Sequence, residues 1–193
     1  QLRAAGGTLD ESVYARVANH AQVAVAAPVL EVQSSALGGA GQRIALKIVG
    51  VDALQIMQVA PALMPQPLEE AGDVRNALFA PDTLFLNPSA RAQLGDNTLQ
   101  LQSGMQLRPV QVAGGVSAGG APLAVMDIGA LQDFFALQGQ LSRIDVKLQP
   151  GSDVRAVVQS WQLPEGVSAQ EPGADTERMS MLSRAYRVNL TVL

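Results

Sequence analysis

Hydrophobic and polar positions between Pro122 and Leu148 follow a strand–helix–strand pattern. Leu123 to Met126 is a short apolar run, and the carboxylate of Asp127 is suited to capping the start of a helix. One apolar helix face is then predicted from the spacing of Ile128, Leu131, Phe134 and Phe135. Gly139 suits the left-handed position that ends a helix. A strand with one buried and one solvated face is predicted from Ile144, Val146 and Leu148 alternating with Arg143, Asp145 and Lys147.

The N-terminal pattern predicts a helix and a hairpin. Thr8 and Glu11 have the spacing of a capping box, which predicts a helix ending near His20. Residues 23–32 read as a strand in which Pro28 suggests an edge position or a bulge. Residues 43–51 alternate well enough to form its hairpin partner across a turn at 37–42.

The middle of the chain, residues 52–121, loses this regularity. Three prolines, Pro61, Pro65 and Pro67, interrupt any long helix. A strand at 83–86, a short helix at 88–94 and a hairpin over 98–102 and 106–113 follow. Because this stretch carries its own turns, we expect an inserted, smaller β-rich subdomain at 52–121. The flanks, 1–51 and 122–193, would then form the main mixed α/β subdomain of an α+β fold, with neighbouring termini.

The C-terminal pattern predicts two further helices. Ser152 is a good N-cap for a helix through Trp161, whose side chain completes an apolar face and is expected in the core. A short strand at 167–170 precedes a final helix from Asp175. One face of that helix carries Met179, Leu182, Tyr186 and Leu193, and Arg178, Arg184 and Arg187 lie elsewhere on it. It could lie on a membrane surface or continue into a transmembrane helix, and its apolar finish favours the second. We expect the chain to be an excised piece of a larger protein.

Composition narrows the class of protein. The 193 residues are 48% hydrophobic and 16% charged, with a net charge of −4, which is typical of a packed globular domain. The absence of a Lys/Arg cluster argues against nucleic-acid binding. The absence of cysteine excludes disulfides, thiol catalysis and Cys-ligated metal. No run of about 18 apolar residues is present.

Candidate reactive residues do not form a recognisable site. The Gly-rich runs at 38–41 and 114–120 match neither a Walker nor a Rossmann fingerprint and are predicted to be loops. His20 is the only histidine, so triads and zinc sites lack partners. Met179 and Met181 could suggest a soft metal, but thioethers two residues apart on a helix do not face each other. The remaining acidic candidates, which share a Pro-flanked loop, are Glu69, Glu70 and Asp73.

The order of elements resembles the periplasmic core domain of FtsX/MacB-type ABC transporter permeases. The resemblance is carried by residues 23–29 after a helix, by 48–52 (IVGVD), and by 83–86 followed by 92–96 (AQLGD). It continues through residues 106–114, 124–128 (AVMDI) and 142–146 (SRIDV). It covers nearly the whole chain. It implies a porter-like subdomain from both chain ends and a sabre-like insert, which agrees with the layout above.

The resemblance also implies a function and partners. The domain would sit at the periplasmic face of the bacterial inner membrane, tethered by transmembrane helices of the parent protein. It would relay ATP-driven motion from a cytoplasmic ATPase subunit or domain to a periplasmic substrate or partner. It would have no catalytic, cofactor-binding or metal-binding residues, and a dimer is expected in the full transporter.

Two other classes of function compete with this interpretation. A substrate-handling domain of a lipoprotein- or lipid-releasing permease would expose an apolar groove. A soluble hydrolase would gather Glu69, Glu70 or Asp73 in a concave pocket.

Overall fold

A computed structural model describes residues 1–68, 74–95 and 98–170. The strands over these residues are β1 (Leu2–Ala4), β2 (Leu9–Asp10), β3 (Val23–Leu37), β4 (Arg43–Val51), β5 (Gln66–Pro67), β6 (Thr83–Leu86), β7 (Leu99–Ser103), β8 (Gln106–Gly115), β9 (Leu123–Asp127), β10 (Gln140–Leu141), β11 (Arg143–Leu148) and β12 (Val167–Ala169). The α-helices are α1 (Glu11–Ala18), α2 (Ala53–Ile56), α3 (Val74–Phe79), α4 (Pro88–Leu94), α5 (Ile128–Phe135) and α6 (Val154–Ser160). Pro61–Leu63 adds one 3-10 turn.

Six strands pair in a closed ring, in the order β3, β4, β9, β6, β8 and β7, with β7 returning to β3. Alternate side chains of these strands point inward, because successive residues of a strand face opposite sides. The buried interior is apolar and includes Leu46, Ile48, Leu84, Leu86, Leu99, Leu101, Ala124 and Met126. Helices α4 and α5 pack against this core through Leu94, Leu131 and Phe134.

Strand β3 extends beyond the ring. Its first half pairs with β11, β11 pairs with β1, and β1 pairs with β12. We call this part, with helices α1 and α6, the entry unit. Its own core joins one face of these strands to both helices, and its buried members are Leu2, Leu9, Val13, Val17, Ala26, Leu141, Ile144, Val157 and Trp161. One strand therefore belongs to both the entry unit and the ring.

The strand directions place the first and last described residues at the same end of the molecule. Strands β4, β11 and β12 all run opposite to β3, whereas β1 runs in the same direction as β3. Gln1 and Gln170 therefore lie side by side, and each backbone N–H donates to the other's carbonyl at 2.7 Å. We call this end of the molecule the entry end. The opposite end carries the β3–β4 turn, which contains Ala40.

Most predicted elements are present, with corrections at their boundaries. The mixed α/β class is confirmed at the level of helices packed on a large sheet. The capping box at Thr8 is wrong, because Leu9–Asp10 pairs with β10 and Asp10 itself caps α1 by accepting from the Ser12 N–H. Similarly, Asp153 rather than Ser152 caps α6, and Ala136 rather than Gly139 takes the left-handed position after α5. The division into two subdomains stays a prediction.

Pro28 lies inside β3 without breaking it. The Val29 carbonyl accepts from the Ser142 N–H, and the Glu31 N–H donates to the Ser142 hydroxyl, so odd-numbered residues turn their backbone groups toward β11. The Pro28 nitrogen therefore faces the other side, where β4 has already ended at Val51, opposite Val29. Because no ladder hydrogen bond is needed at that point, proline is tolerated there.

Candidate functional site

Four charged side chains meet where β3 passes from the entry unit into the ring. The Arg143 guanidinium donates from Nε to both carboxylate oxygens of Asp145, at 3.0 and 3.1 Å. Its Nη1 donates to Glu31 Oε1 on β3. The second oxygen of Glu31 pairs with Lys47 Nζ on β4 at 2.9 Å. We call these four residues the junction network. It joins three adjacent strands.

Two members of the junction network are buried. Arg143 and Asp145 are only 6% and 5% exposed. The predicted solvated face of β11 is therefore wrong at these two positions and holds only at Lys147, which is exposed. The alternation of charged and apolar residues predicted that every charged residue of β11 faces solvent. A charged side chain can nevertheless be buried when partners of opposite charge bond to it.

The surrounding face of the sheet explains this burial. Ala27, Val29, Val49 and Val51 form an apolar patch beside the junction network, together with Phe85 and Val125 from the ring. The chain after β4 covers that patch through Ile56, with Val59 and Leu63 partly buried against it. Charged side chains at the border of such a patch lose contact with water, so each needs a partner of opposite charge to replace that hydration.

Glu31 is held in its charged form. Burial favours the neutral carboxylic acid, but the hydrogen bond from Lys47 and the charge of Arg143 outweigh burial, so the pKa of Glu31 is lowered. The Ser142 hydroxyl accepts from the Glu31 backbone N–H at 2.8 Å. The side chain of Glu31 is thus tied to β11, and its backbone to Ser142, the residue just before β11.

A cleft opens beside the junction network. Its volume is about 330 Å³, and its walls are Gln58, Val59 and Ala60 on one side and the outward face of β11 on the other, with Gln1 at its edge. Arg143 and Asp145 line it while bonded to each other and to Glu31. These charges are paired within the protein, and this arrangement favours a structural role over acid–base chemistry.

The two Gly-rich runs form a turn between strands and part of a strand. Residues 38–41 form the β3–β4 turn, as predicted. Gly114 and Gly115 belong to β8, so the predicted loop at 114–120 is wrong at its first two residues. A Cβ at position 114 would collide with the backbone carbonyl of Gln66 on β5. This glycine permits close strand approach, which no local sequence pattern distinguishes from a loop.

His20 and Trp161 meet at the end of α1. His20 Nδ1 lies 3.2 Å from the Gln22 backbone nitrogen, which donates to it, and Nε2 lies 3.0 Å from the Ser160 hydroxyl. The Trp161 ring lies edge-on to the imidazole, with the ring centres 6.2 Å apart. Trp161 is buried in the entry-unit core, as predicted. This histidine joins α1 to α6.

The other predicted candidates fall outside the described residues. These are Glu69, Glu70 and Asp73 of the acidic loop, Met179 and Met181, and the final helix with Arg178, Arg184 and Arg187. Within residues 1–68, 74–95 and 98–170, no group of three or more His, Cys, Asp or Glu side chains is placed to hold a metal ion. Across the same ranges, no helix has the length and apolar character that crossing a bilayer would need.

Comparison with known proteins finds similarity in structure. No protein-family model and no curated protein matches the sequence. The extracellular domain of the ABC-type transporter YknZ from Gram-positive bacteria matches with a TM-score of 0.66 and 11% identity, over 88% of this chain and 98% of that one. The periplasmic region of MacB from Actinobacillus actinomycetemcomitans matches with a TM-score of 0.64 and 15% identity, over 90% of this chain and 82% of that one.

A third solved structure agrees with these two. A domain of a permease protein from Porphyromonas gingivalis matches with a TM-score of 0.54 and 12% identity, over 82% of this chain and 78% of that one. These neighbours are extracytoplasmic or other domains of transporter and permease proteins. The resemblance inferred from the sequence is confirmed at the level of the fold: the chain has the fold of the extracytoplasmic domains of ABC-type transporter permeases.

Proposed function

We propose that this chain is the periplasmic domain of an FtsX/MacB-type ABC transporter permease at the bacterial inner membrane. A cytoplasmic ATPase subunit or domain of the same transporter drives its transmembrane helices. The domain relays that motion to a periplasmic substrate or partner. The fold shared with extracytoplasmic permease domains supports the assignment.

The observation that carries the relay is the continuity of β3 through the junction network. Its first half lies in the entry unit and its second half in the ring, with no break between them. The network binds β11, β3 and β4 together at the point where β3 changes partners. A force applied at the entry end therefore reaches the ring through covalent backbone and paired charges rather than through a loop.

Pairing of the first and last described residues supports tethering at one place. Gln1 and Gln170 exchange two backbone hydrogen bonds at the entry end. Two neighbouring transmembrane helices would join the domain at such a place. A relay needs such a double attachment, because a single tether would let the domain swivel.

Rigidity of the domain tests the relay. These 193 residues contain no cysteine, so in a parent transporter cleared of any other cysteine Ala40→Cys in the β3–β4 turn and Gln149→Cys near the entry end can carry spin labels. We expect one narrow distance distribution that does not change between nucleotide-free and ATP-bound states. Arg143→Met should broaden it. A wild-type distance that changes with nucleotide would show that the domain flexes and would overturn the relay.

Topology tests the placement independently. In intact spheroplasts, a membrane-impermeant maleimide should label Ala40→Cys without lysis. The parent gene should encode an apolar segment of about 20 residues on each side of the domain. Labelling only after lysis, or polar flanks on both sides, would remove the membrane assignment.

Substrate handling is the second candidate, and one cavity bears on it. The cavity beside Trp161 is apolar, with Leu2, Leu148 and Val158 in its walls. Its volume of about 90 Å³ is small against the roughly 300–1,000 Å³ of ordinary ligand pockets. Trp161 is the only tryptophan. A saturable change in its fluorescence on titration with a lipopeptide would favour substrate handling, and unchanged emission favours the relay.

A further inference from the structure

Helix α2 turns two large apolar side chains toward solvent. Leu54 is 70% exposed and Met57, at its C-cap, is 57% exposed. They are three residues apart and so lie on one side of the helix. The other side of the helix is covered by protein, since Ala53 and Ile56 are buried against the sheet.

The exposed pair belongs to a long uncharged stretch. No charged residue occurs from Ala53 to Leu68, although much of this stretch lies on the surface. Pro61 and Ala62 are also exposed. The nearest acid, Asp52, is engaged as the N-cap of α2 and accepts from the Leu54 N–H at 2.8 Å. Loops and short surface helices of soluble proteins ordinarily carry charge, so this composition calls for a partner.

The position of α2 indicates which partner. Strand β4 runs toward the entry end, and α2 follows it directly. Gln58, Val59 and Ala60, just after α2, form one wall of the cleft that Gln1 also lines. The apolar pair therefore lies near the entry end, on the side of the cleft that faces Gln1. The same cleft presents the exposed Lys147, a cation suited to anionic lipid headgroups.

We propose that Leu54 and Met57 of α2 rest in the headgroup region of the bilayer to which the domain is tethered. This inference depends on the proposed function, because it requires both chain ends to lead to a membrane. Apolar side chains on one side of a surface helix enter the headgroup–acyl boundary while basic residues contact anionic lipid. Contact of α2 with the bilayer would give the domain a third point of support beside its two tethers.

The test uses environment-sensitive labels on the full 193-residue chain. Met57→Cys carries a nitrobenzoxadiazole label, and Ala40→Cys, exposed at the far turn, is the matched control. A histidine tag before Gln1 holds each protein on phosphatidylethanolamine–phosphatidylglycerol vesicles that contain a nickel-chelating lipid. We expect a blue shift and loss of emission to an acyl-chain quencher at position 57, and neither effect at position 40.

A second variant separates lipid contact from a folding defect. Leu54→Glu in the Met57→Cys background should abolish the blue shift while leaving the urea midpoint unchanged, because Leu54 is largely exposed. No shift at position 57 in the tethered chain, or equal shifts at positions 57 and 40, would overturn the inference. Burial of the label in the untethered 193-residue chain in buffer, with neither lipid nor detergent present, would assign the patch to a protein contact and overturn it as well.

The two proposals fail in different ways. Polar flanks in the parent gene would remove the proposed function whatever the vesicle result. Apolar flanks with an unshifted label at position 57 would leave the permease assignment standing and remove only the membrane contact of α2.

Discussion

The ring and the junction network hold the same strand by different means. Inside the ring, β3 buries Leu30 and Ala36 among apolar side chains from its neighbours. At the junction, Glu31 of the same strand is held by Arg143 and Lys47. Apolar packing has no dependence on pH and tolerates small changes in shape. A buried ionic cluster depends on every partner being present and charged.

This difference suggests a division of roles along β3. The ring provides stability that any similar apolar side chain can supply. The junction network fixes the relative position of three strands and is sensitive to single charges. The predictions below separate these two kinds of support.

Removing the central cation should have the largest effect. Arg143→Met leaves Asp145 and Glu31 without their shared partner in a buried setting, so we expect a loss of about 3–5 kcal/mol in the free energy of unfolding. Urea denaturation at neutral pH measures it. The triple variant Arg143→Met/Glu31→Gln/Asp145→Asn removes the uncompensated charges and should recover part of the loss. A single variant as stable as wild type would show that the network does not support the junction.

An apolar truncation in the ring should cost slightly less and should not depend on pH. Leu101 is fully buried on β7, the strand that closes the ring onto β3. Leu101→Ala should lower the free energy of unfolding by about 2–5 kcal/mol. The loss should be equal at neutral and mildly acidic pH. Leu54→Ala, on an exposed side chain, is the control and should change stability little.

The sequence predicted the individual strands of the ring better than the burial of the junction network, for a physical reason. Inward positions such as Leu84, Leu86, Ala124 and Met126 are apolar, so strands and their buried faces follow from local pattern. Closure of the ring does not, because the pairing of β7 with β3 joins residues far apart in the chain. The covering of the apolar patch beside Arg143 by the segment after β4 is equally non-local.

The candidate site shows the same limit. The alternation of Arg143 and Asp145 with apolar residues matches an ordinary half-solvated strand, and nothing local marks these two residues as buried. Asp127, by contrast, was predicted from local sequence, because it lies just before an apolar helical face and so suits an N-cap. The structure confirms this role, since its carboxylate accepts from the Ala130 N–H at 3.0 Å. Short spacing therefore identified the cap at Asp127 but misplaced those at Thr8, Ser152 and Gly139 by a few residues, and no local spacing indicates which face of a strand is covered.

Acid should weaken the junction through Glu31 and leave the ring intact. The folded-state pKa of Glu31 is lowered, so its stabilising contribution is present above the pKa of an unfolded glutamate, about 4.3, and is lost as the pH falls through the lower folded value. Glu31→Gln should therefore be less stable than wild type at neutral pH. The difference in the free energy of unfolding between the two proteins, which we call the gap, should narrow as the pH drops below the pKa of an unfolded glutamate. Denaturation curves across an acid series measure the gap. A gap that stays constant across that series would rule out ionisation of Glu31 as the source of the stabilisation.

Lys47, the most exposed member of the junction network, should contribute least to the free energy of unfolding. Lys47 pairs with Glu31 at 2.9 Å, but its side chain is 35% exposed, so water and salt screen the interaction. Lys47→Met should cost less than about 1 kcal/mol, and the cost should shrink further at high salt. Lys147→Met, at an exposed position on β11, is the matched control for loss of a surface charge. A Lys47→Met effect as large as that of Arg143→Met, and unchanged by salt, would mean that the ionic support of β3 extends onto β4 as strongly as onto β11. The region held mainly by ionic contacts would then include β4 as well as β11 and β3.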